Sequence, residues 1–200
     1  MTTPPDAGIS EWVTGLVGKC SVCDNVMALL ATDFFIPVAI SLYMLFLWFG
    51  IGDGVQRVKN QYGAMCASIS LGIACGMVEI FNAIFEVWER PFVEGENARH
   101  AAETLFYLPH DPSFPSNLAA VGFGAAMGMW MYNRKAAIPI FALASLWSIS
   151  RVYAGIHYPV DILGGAAIGI AVAFFSYGLL KVLWPFPIVA LWIARKLYIA

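Results

Sequence analysis

The sequence predicts an all-α integral membrane helical bundle, with about five transmembrane helices and an interfacial helix before them. Of the 200 residues, 60% are hydrophobic and only 12% are charged. An average soluble domain carries about 25% charged residues, so the composition excludes an ordinary soluble domain. The net charge is −2 and no basic cluster is present, which argues against a nucleic-acid partner. The apolar residues lie in long uncharged stretches, which are typical of membrane-spanning helices.

Five uncharged stretches approach the roughly 20 residues that a helix needs to cross a hydrocarbon core. They are Phe34–Gly52, Tyr62–Val78, Asn117–Asn133, Ala136–Ser150 and Ile162–Leu180. Their apolar residues do not alternate with polar ones, which disfavours the strands of a membrane β-barrel. We therefore predict one transmembrane domain over residues 34–184, without an internal repeat or a linker.

Residues 1–33 are predicted to form an amphipathic segment on the membrane surface. Apolar side chains recur from Ile9 at the i, i+3, i+4, i+7 and i+8 positions, which is the spacing of an amphipathic helix. Asp24-Asn25 then offers a cap for a short helix over Val26–Ala31 that dips into the membrane. Cys20 and Cys23 lie in this segment, and either a local disulfide or two free thiols is favoured over a redox or metal role.

Residues 185–200 are predicted to form a second interfacial segment. The run Trp184-Pro185-Phe186-Pro187 breaks the fifth span, because proline cannot continue a helix. Ile188–Ile199 then reads as an interfacial helix with Arg195 and Lys196 on its polar side.

The positions of the basic residues predict how the bundle is oriented in the membrane. They follow the first, third and fifth predicted spans. Arg57 and Lys59 follow the first, Arg134 and Lys135 the third, and Lys181, Arg195 and Lys196 the fifth. The positive-inside rule makes this face cytoplasmic. The opposite face holds the loops Glu89–Ser116 and Arg151–Asp161. We therefore predict an integral protein of a bacterial plasma membrane, with these two loops on the external or periplasmic face.

The loop between the fourth and fifth spans carries the clearest candidate chemistry. Arg151 is followed by His157 six residues later and by Asp161 four residues after that. These side chains converge if the chain turns through Gly155-Ile156 and the next helix begins near Pro159. An arginine binds anions in a planar fork, a histidine acts as nucleophile or base, and a carboxylate fixes the imidazole tautomer. The set suits phosphoryl transfer.

Residues 150–161 resemble the third signature of the type 2 phosphatidic acid phosphatases, which share a fold with vanadium-dependent haloperoxidases. That signature is Ser-Arg, five residues, His, three residues and Asp, and it matches here without a gap. The first signature is Lys, six residues and Arg-Pro, of which Arg90-Pro91 is present and the lysine position is Ala83. The second is Pro-Ser-Gly-His, which here reads Pro115-Ser116-Asn117-Leu118.

The resemblance implies a role for each matching residue. His157 would take the phosphoryl group as a phosphohistidine, and Asp161 would orient it. Arg90, Arg151 and Ser116 would cradle the phosphate, with the amide of Asn117 as a further donor. No metal and no cofactor are implied, since arginines neutralise the phosphate oxygens, and the expected partner is a lipid phosphate substrate in the bilayer.

Three further residues are candidates for auxiliary roles. Because Leu118 replaces the general acid of the family, His110 is a candidate substitute, with a solvated loop histidine as the alternative. Glu79 and Glu86 fall with Asn82 and Arg90 on one predicted stripe of the second span. There they are expected to pair with Arg90 and Arg151 or to bind a cation, and pairing is favoured because unpaired acids at that depth are costly.

Two functions from different classes remain open at this stage. The first is a membrane phosphatase or phosphotransferase that acts on a lipid phosphate or diphosphate, such as an isoprenyl diphosphate, at the external membrane face. The intact third signature favours it. The second is a catalytically degenerate relative that serves as a membrane-complex subunit or lipid-binding protein, which the altered first and second signatures favour.

Overall fold

The computed structural model describes residues 4–50 and 54–197, and these residues form ten helices and no strand. Five helices precede the middle of the chain: α1 Ala7–Thr14, α2 Ser21–Ala31, α3 Phe35–Phe49, α4 Gly54–Ile84 and α5 Pro91–Glu94. Five follow: α6 Glu96–Leu105, α7 Asn117–Trp130, α8 Arg134–Tyr153, α9 Pro159–Val182 and α10 Phe186–Lys196. The predicted all-α membrane fold is confirmed.

Three of the described helices are long and apolar enough to cross a membrane, namely α4, α8 and α9. Helices α2 and α3 meet this criterion only as a pair, bent by 61° at their junction. The described chain therefore gives three spans, or four if the bent pair counts as one. The predicted count of five is not confirmed, because the third apolar stretch forms only the 14-residue α7. Such a helix extends about 21 Å, short of a hydrocarbon core of about 30 Å.

Helix α7 is the centre of the bundle and packs against α4, α8 and α9. Small residues allow this close approach, as at membrane helix interfaces in general. A Cβ atom at Gly128 would lie 2.7 Å from the Cα of Ala67 on α4. A Cβ atom at Gly165 on α9 would overlap the carbonyl group of Ser116. The second contact holds the N-termini of α7 and α9 together, where the backbone N–H of Ser116 donates to the carbonyl of Asp161 at 3.1 Å.

Polar and aromatic contacts join the start of α4, the α7–α8 turn and the end of α9 at the other end of the bundle. The Asn133 amide donates to Oδ1 of Asn60 at 2.7 Å. The ring of Tyr132 stacks on Tyr62 and meets Tyr177 edge-on. Arg57, Lys59, Arg134, Lys135 and Lys181 therefore lie near this end of the bundle, opposite the α7–α9 contact.

The N-terminal helices pack over the end of the bundle that holds the α7–α9 contact. Val13 and Val17 contact a cluster with Ala101 of α6 and Tyr153 of α8. The predicted cap at Asp24-Asn25 is wrong, because α2 begins at Ser21 and its N-cap is Cys20. Asp24 lies inside α2 and accepts from the Tyr153 hydroxyl at 2.7 Å.

Two predictions about the terminal segments have a structural counterpart. Cys20 and Cys23 form a disulfide, one of the two states left open by the sequence. The fifth predicted span, α9, ends at Val182, and α10 begins at Phe186, inside the Trp184–Pro187 run and two residues before the predicted start at Ile188. Lys196 of α10 lies over the ring of Trp192 at 4.0 Å. The predicted helix reaches Ile199, which lies outside the described residues.

Candidate active site

The turn between α8 and α9 presents His157 to the interior of the bundle. Gly155 adopts a φ of 69°, a left-handed conformation that favours glycine. Pro159 occupies the first position of α9, where its missing N–H is not needed. The backbone N–H of Tyr158 donates to Oδ2 of Asp161 at 2.8 Å, which closes the helix start. The turn and helix start therefore lie where the sequence predicts them.

Asp161 is fully buried, and three donors surround its carboxylate. Oδ1 accepts from Nε1 of Trp88 at 3.0 Å. Oδ2 accepts from the Ser113 hydroxyl at 2.5 Å as well as from Tyr158 N–H. Burying a carboxylate is energetically costly unless hydrogen bonds satisfy it, and here three separate segments of the chain supply them. These contacts fix the position of the carboxylate beside His157.

The ring nitrogen Nδ1 of His157 is positioned by a backbone carbonyl and by the Asp161 carboxylate. Nδ1 lies 3.1 Å from the carbonyl oxygen of Ser113 and 3.5 Å from Oδ2 of Asp161. Both neighbours are acceptors, so Nδ1 carries the proton and donates to the Ser113 carbonyl. Nε2 is then unprotonated in the neutral ring. Burial lowers the pKa of His157, the neighbouring Asp161 carboxylate raises it, and the charges of Arg90 and Arg151 lower it further.

A cavity of about 250 Å³ brings the predicted nucleophile and cations together. His157, Arg90, Arg151 and Asn117 all line it. Leu118, at the position of the missing histidine, lines it as well. The volume suits a phosphate or diphosphate group.

Arg90 is fixed at one side of the cavity by backbone and side-chain acceptors. Its Nε donates to the carbonyl of Asp111 at 2.8 Å, and one terminal nitrogen donates to the carbonyl of Ile156 at 3.0 Å. The other terminal nitrogen pairs with the Asp111 carboxylate at 2.8 Å. Burial lowers the pKa of Arg90 and Asp111 raises it, and a guanidinium stays protonated in either case.

Arg151 also lines the cavity and has a different carboxylate partner. Its terminal nitrogen pairs with Oδ1 of Asp33, from the α2–α3 junction, and Oδ2 of Asp33 accepts from the Tyr107 hydroxyl at 3.0 Å. The guanidinium stacks over the ring of Phe106 at 4.2 Å. Its Nε is buried without a protein hydrogen-bond partner. The cradle therefore retains a donor that the protein does not satisfy.

Ser116 and Asn117 open α7 beside the cavity, but in different ways. The Ser116 hydroxyl is buried, accepts from Ala119 N–H at 3.4 Å and does not line the cavity. It caps the helix. Asn117 lines the cavity and donates to Oε1 of Glu79 at 2.5 Å, while its own Oδ1 has no protein partner.

The prediction that Glu79, Asn82, Glu86 and Arg90 share one face of the second span is wrong for the last two residues. Helix α4 ends at Ile84, so Glu86 and Arg90 lie outside it, and Glu86 is exposed. Glu79 contacts Asn117 rather than an arginine. The arginines pair instead with acids from other segments, since loop carboxylates reach them and those of α4 do not.

His110 and Ala83, two further positions considered from the sequence, do not line the cavity. His110 is exposed, so the structure does not bring it to His157 as a substitute acid. Ala83, the lysine position, is exposed as well. Its neighbour Asn82 lines the cavity with a buried Oδ1 that has no protein partner.

Five site residues were not singled out from the sequence: Asp33, Trp88, Tyr107, Asp111 and Ser113. Only the position of a residue along the sequence could have indicated its role. Asp33 directly precedes an apolar span, where an ionisable residue is often functional. Trp88 lies within the first signature, and Tyr107, Asp111 and Ser113 lie in the loop between the first and second signatures. No local pattern sets these four residues apart from their neighbours.

Comparison with known proteins agrees with this geometry. Residues 62–185 match the model of the PAP2 superfamily. The chain is 31% identical over 180 residues to the undecaprenyl-diphosphatase BcrC of Bacillus subtilis, covering 89% of this chain and 86% of BcrC.

Two solved structures share the fold. LpxE of Aquifex aeolicus aligns with a TM-score of 0.58 at 21% identity, over 88% of this chain and 96% of LpxE. A transmembrane PAP2-type phosphatidylglycerolphosphate phosphatase of Bacillus subtilis aligns with a TM-score of 0.54 at 17% identity, over 92% and 90% of the two chains. The family match, the relative and the third signature agree, and the chain belongs to the PAP2 superfamily.

Proposed function

We propose that this chain is a membrane lipid diphosphate phosphatase that hydrolyses an isoprenyl diphosphate, such as undecaprenyl diphosphate, through a phosphohistidine at His157. One observation carries the proposal. Nδ1 of His157 is tethered to the Ser113 carbonyl beside Asp161, while the same ring lines a cavity with Arg90 and Arg151. The similarity to undecaprenyl-diphosphatase BcrC supports the substrate class.

The first chemical step forms a bond from Nε2 of His157 to the terminal phosphorus of the diphosphate. The bond from that phosphorus to the bridging oxygen breaks, and its electron pair leaves with the isoprenyl phosphate. The ring becomes cationic, and the Asp161 carboxylate and the Ser113 carbonyl stabilise it. Arg90 and Arg151 neutralise the phosphoryl oxygens, which is the main contribution an enzyme makes to phosphoryl transfer.

The second step is hydrolysis of the phosphohistidine. A water oxygen bonds to phosphorus, the P–N bond breaks, and its electron pair returns to Nε2. Inorganic phosphate leaves, and His157 is neutral again. The tethered Nδ1 keeps the same ring orientation through both steps.

Substrate binding requires the two arginines to exchange their carboxylate partners. The side chains of Asp111 and Asp33 are 65% and 57% exposed, whereas those of Arg90 and Arg151 are 5% and 6% exposed. The carboxylates can therefore turn to water at low cost, while the guanidinium groups stay in the cavity. This exchange supplies terminal N–H donors for the phosphate, in addition to the unsatisfied Nε of Arg151.

The proposed orientation puts this cavity at the external face of a bacterial plasma membrane. Arg134, Lys135 and Lys181 lie at the far end of the bundle from His157, and the positive-inside rule assigns that end to the cytoplasm. Membrane insertion itself is supported by the apolar helices and by the membrane phosphatases that share the fold.

Phosphate release from purified protein tests the proposal. We expect farnesyl diphosphate to be hydrolysed in detergent with a chelator present, and farnesyl phosphate and phosphatidic acid to be hydrolysed at least about 100-fold more slowly. The reason is Leu118, because an alkoxide leaving group needs the missing general acid far more than a phosphate leaving group does. No release from any of the three would instead favour a catalytically degenerate lipid-binding protein or complex subunit.

The pH dependence of kcat/KM tests the state of His157. Its pKa is lowered from the ordinary 6.5, mainly by burial, so the ring stays neutral and nucleophilic to a lower pH. We expect the acidic limb of kcat/KM to have its midpoint below pH 6.5, since activity falls only as Nε2 protonates. Arg90→Gln removes a charge that lowers the pKa and should move the midpoint upward. A wild-type midpoint above 6.5 would contradict a buried neutral histidine.

A further inference from the structure

We infer that the lipid chain of the substrate runs from the phosphate cavity into a groove between α3 and α4, toward the opposite end of the bundle. We call it the tail groove, and it is lined by Ser41, Met44, Trp48, Ala64, Met65 and Ile69, among others. This inference rests on the proposed function, because it assigns the apolar part of the same substrate.

A smaller cavity, which we call the neck, borders both the phosphate cavity and the tail groove. The neck has a volume of about 60 Å³ and shares Val121 and Trp147 with the phosphate cavity. It shares Ser41 and Met44 with the tail groove, which has a volume of about 560 Å³. We therefore place the lipid chain along the neck, because the neck borders both the phosphate cavity and the tail groove.

The route descends in the same direction along each helix that borders it. On α4, Asn82 lines the phosphate cavity, Leu71 lines the neck and Ala64 lines the far part of the tail groove. Asn82 and Ala64 are about five helical turns apart, or about 27 Å at a rise of 1.5 Å per residue. A hydrocarbon core is about 30 Å thick, so the route passes through nearly both leaflets.

The depth of this route favours a long isoprenyl chain over a glycerolipid acyl chain. A glycerolipid acyl chain spans about half of the hydrocarbon core, so it would end before the far part of the tail groove, whereas a long isoprenyl chain can reach it. Thioether side chains of Met44 and Met65 line the groove, and flexible methionines adapt to irregular apolar shapes such as a methyl-branched chain.

The chain can enter the tail groove from the bilayer rather than through its end. Leu45 lines the groove on α3 and is 51% exposed, and the lining residues Ser41 and Ser68 are exposed as well, so the groove is open along its side. A substrate can therefore slide in laterally while its diphosphate reaches Arg90 and Arg151.

A bulky side chain in the groove tests the inference. Ser41→Phe narrows the junction of neck and groove, and Leu42→Phe is the matched control because Leu42 is 61% exposed and lines neither. We expect Ser41→Phe to lower the ratio of kcat/KM for undecaprenyl diphosphate to that for geranyl diphosphate by at least about tenfold. Each methylene group displaced from an apolar site costs about fourfold in affinity. Leu42→Phe should leave the ratio at the wild-type value.

A second variant guards against misfolding at the first. Ser68→Phe fills the tail groove from α4, farther from His157, and should also lower the ratio of kcat/KM for undecaprenyl diphosphate to that for geranyl diphosphate. If Ser41→Phe and Ser68→Phe both retain the wild-type ratio, the tail groove does not bind the chain and the inference is overturned.

Binding separates a failure of this inference from a failure of the proposed function. Native mass spectrometry with undecaprenyl phosphate measures chain binding without hydrolysis. Weaker binding to Ser41→Phe than to Leu42→Phe supports the tail groove even if no diphosphate is hydrolysed. Equal binding to the two variants overturns the tail groove even if the wild-type enzyme is active.

Discussion

Replacing His157 with alanine is expected to reduce phosphate release from farnesyl diphosphate by about 10⁴-fold or more. The substitution removes the atom that bonds to phosphorus, and loss of a covalent nucleophile has effects of this order in other enzymes. Arg90 and Arg151 remain, so the substrate should still bind. We therefore expect the loss to appear in kcat, measured by a continuous phosphate assay at saturating substrate.

His100→Ala is the matched control for this prediction. His100 lies on α6, is exposed and does not line the phosphate cavity. Its removal should change kcat by less than about twofold, as expected for an exposed residue away from the site. A His157→Ala protein that keeps more than about one hundredth of the wild-type kcat would contradict nucleophilic catalysis at this residue.

Replacing Leu118 with histidine is expected to raise the hydrolysis of farnesyl phosphate by at least about 100-fold. Leu118 lines the cavity that holds His157, so an imidazole there can protonate an alkoxide leaving group. General acid catalysis typically contributes about 10² to 10⁴-fold. The diphosphate reaction should gain much less, because its leaving group is already a stable anion. The measurement is the ratio of the two kcat/KM values.

Leu118→Gln is the control, since glutamine is polar and of similar length but does not transfer protons. It should leave the monophosphate rate near that of the wild type. An equal gain in the glutamine variant would assign the effect to polarity. No gain in the histidine variant would mean that the missing acid does not determine the preference for diphosphate.

The catalytic turn could be predicted from sequence because its geometry is local. Arg151, His157 and Asp161 lie within eleven residues, and Gly155 and Pro159 between them specify a turn and a helix start. The left-handed φ of Gly155 and the start of α9 at Pro159 are where the spacing predicts them. Local backbone preferences and helix caps determine this arrangement, and they are readable from one segment.

The partners of the two arginines could not be predicted, because they depend on tertiary packing. Asp33 reaches Arg151 from the α2–α3 junction, 118 positions away in the chain. Asp111 reaches Arg90 from the loop before α7. The sequence favoured acids on the second span, which would hold only if α4 continued past Ile84. No charge pattern distinguishes the correct carboxylates from those that remain in solvent.

Helix α7 shows that hydropathy alone does not identify a membrane-spanning helix. Its apolar stretch resembles a span, but the helix ends at Trp130 and packs at the centre of the bundle. Burial by α4, α8 and α9 demands apolar and small residues as strongly as lipid does. Composition alone therefore cannot separate a central helix from a lipid-facing span.

The central claim is that His157 carries the phosphoryl group, and trapping that intermediate tests it most directly. Protein mixed with farnesyl diphosphate is quenched within milliseconds in alkali, digested and analysed by mass spectrometry. We predict one added phosphoryl group on the peptide that contains residue 157, which disappears in His157→Ala and on acid treatment. Turnover of the diphosphate without any phosphorylated form of this peptide would contradict the claim.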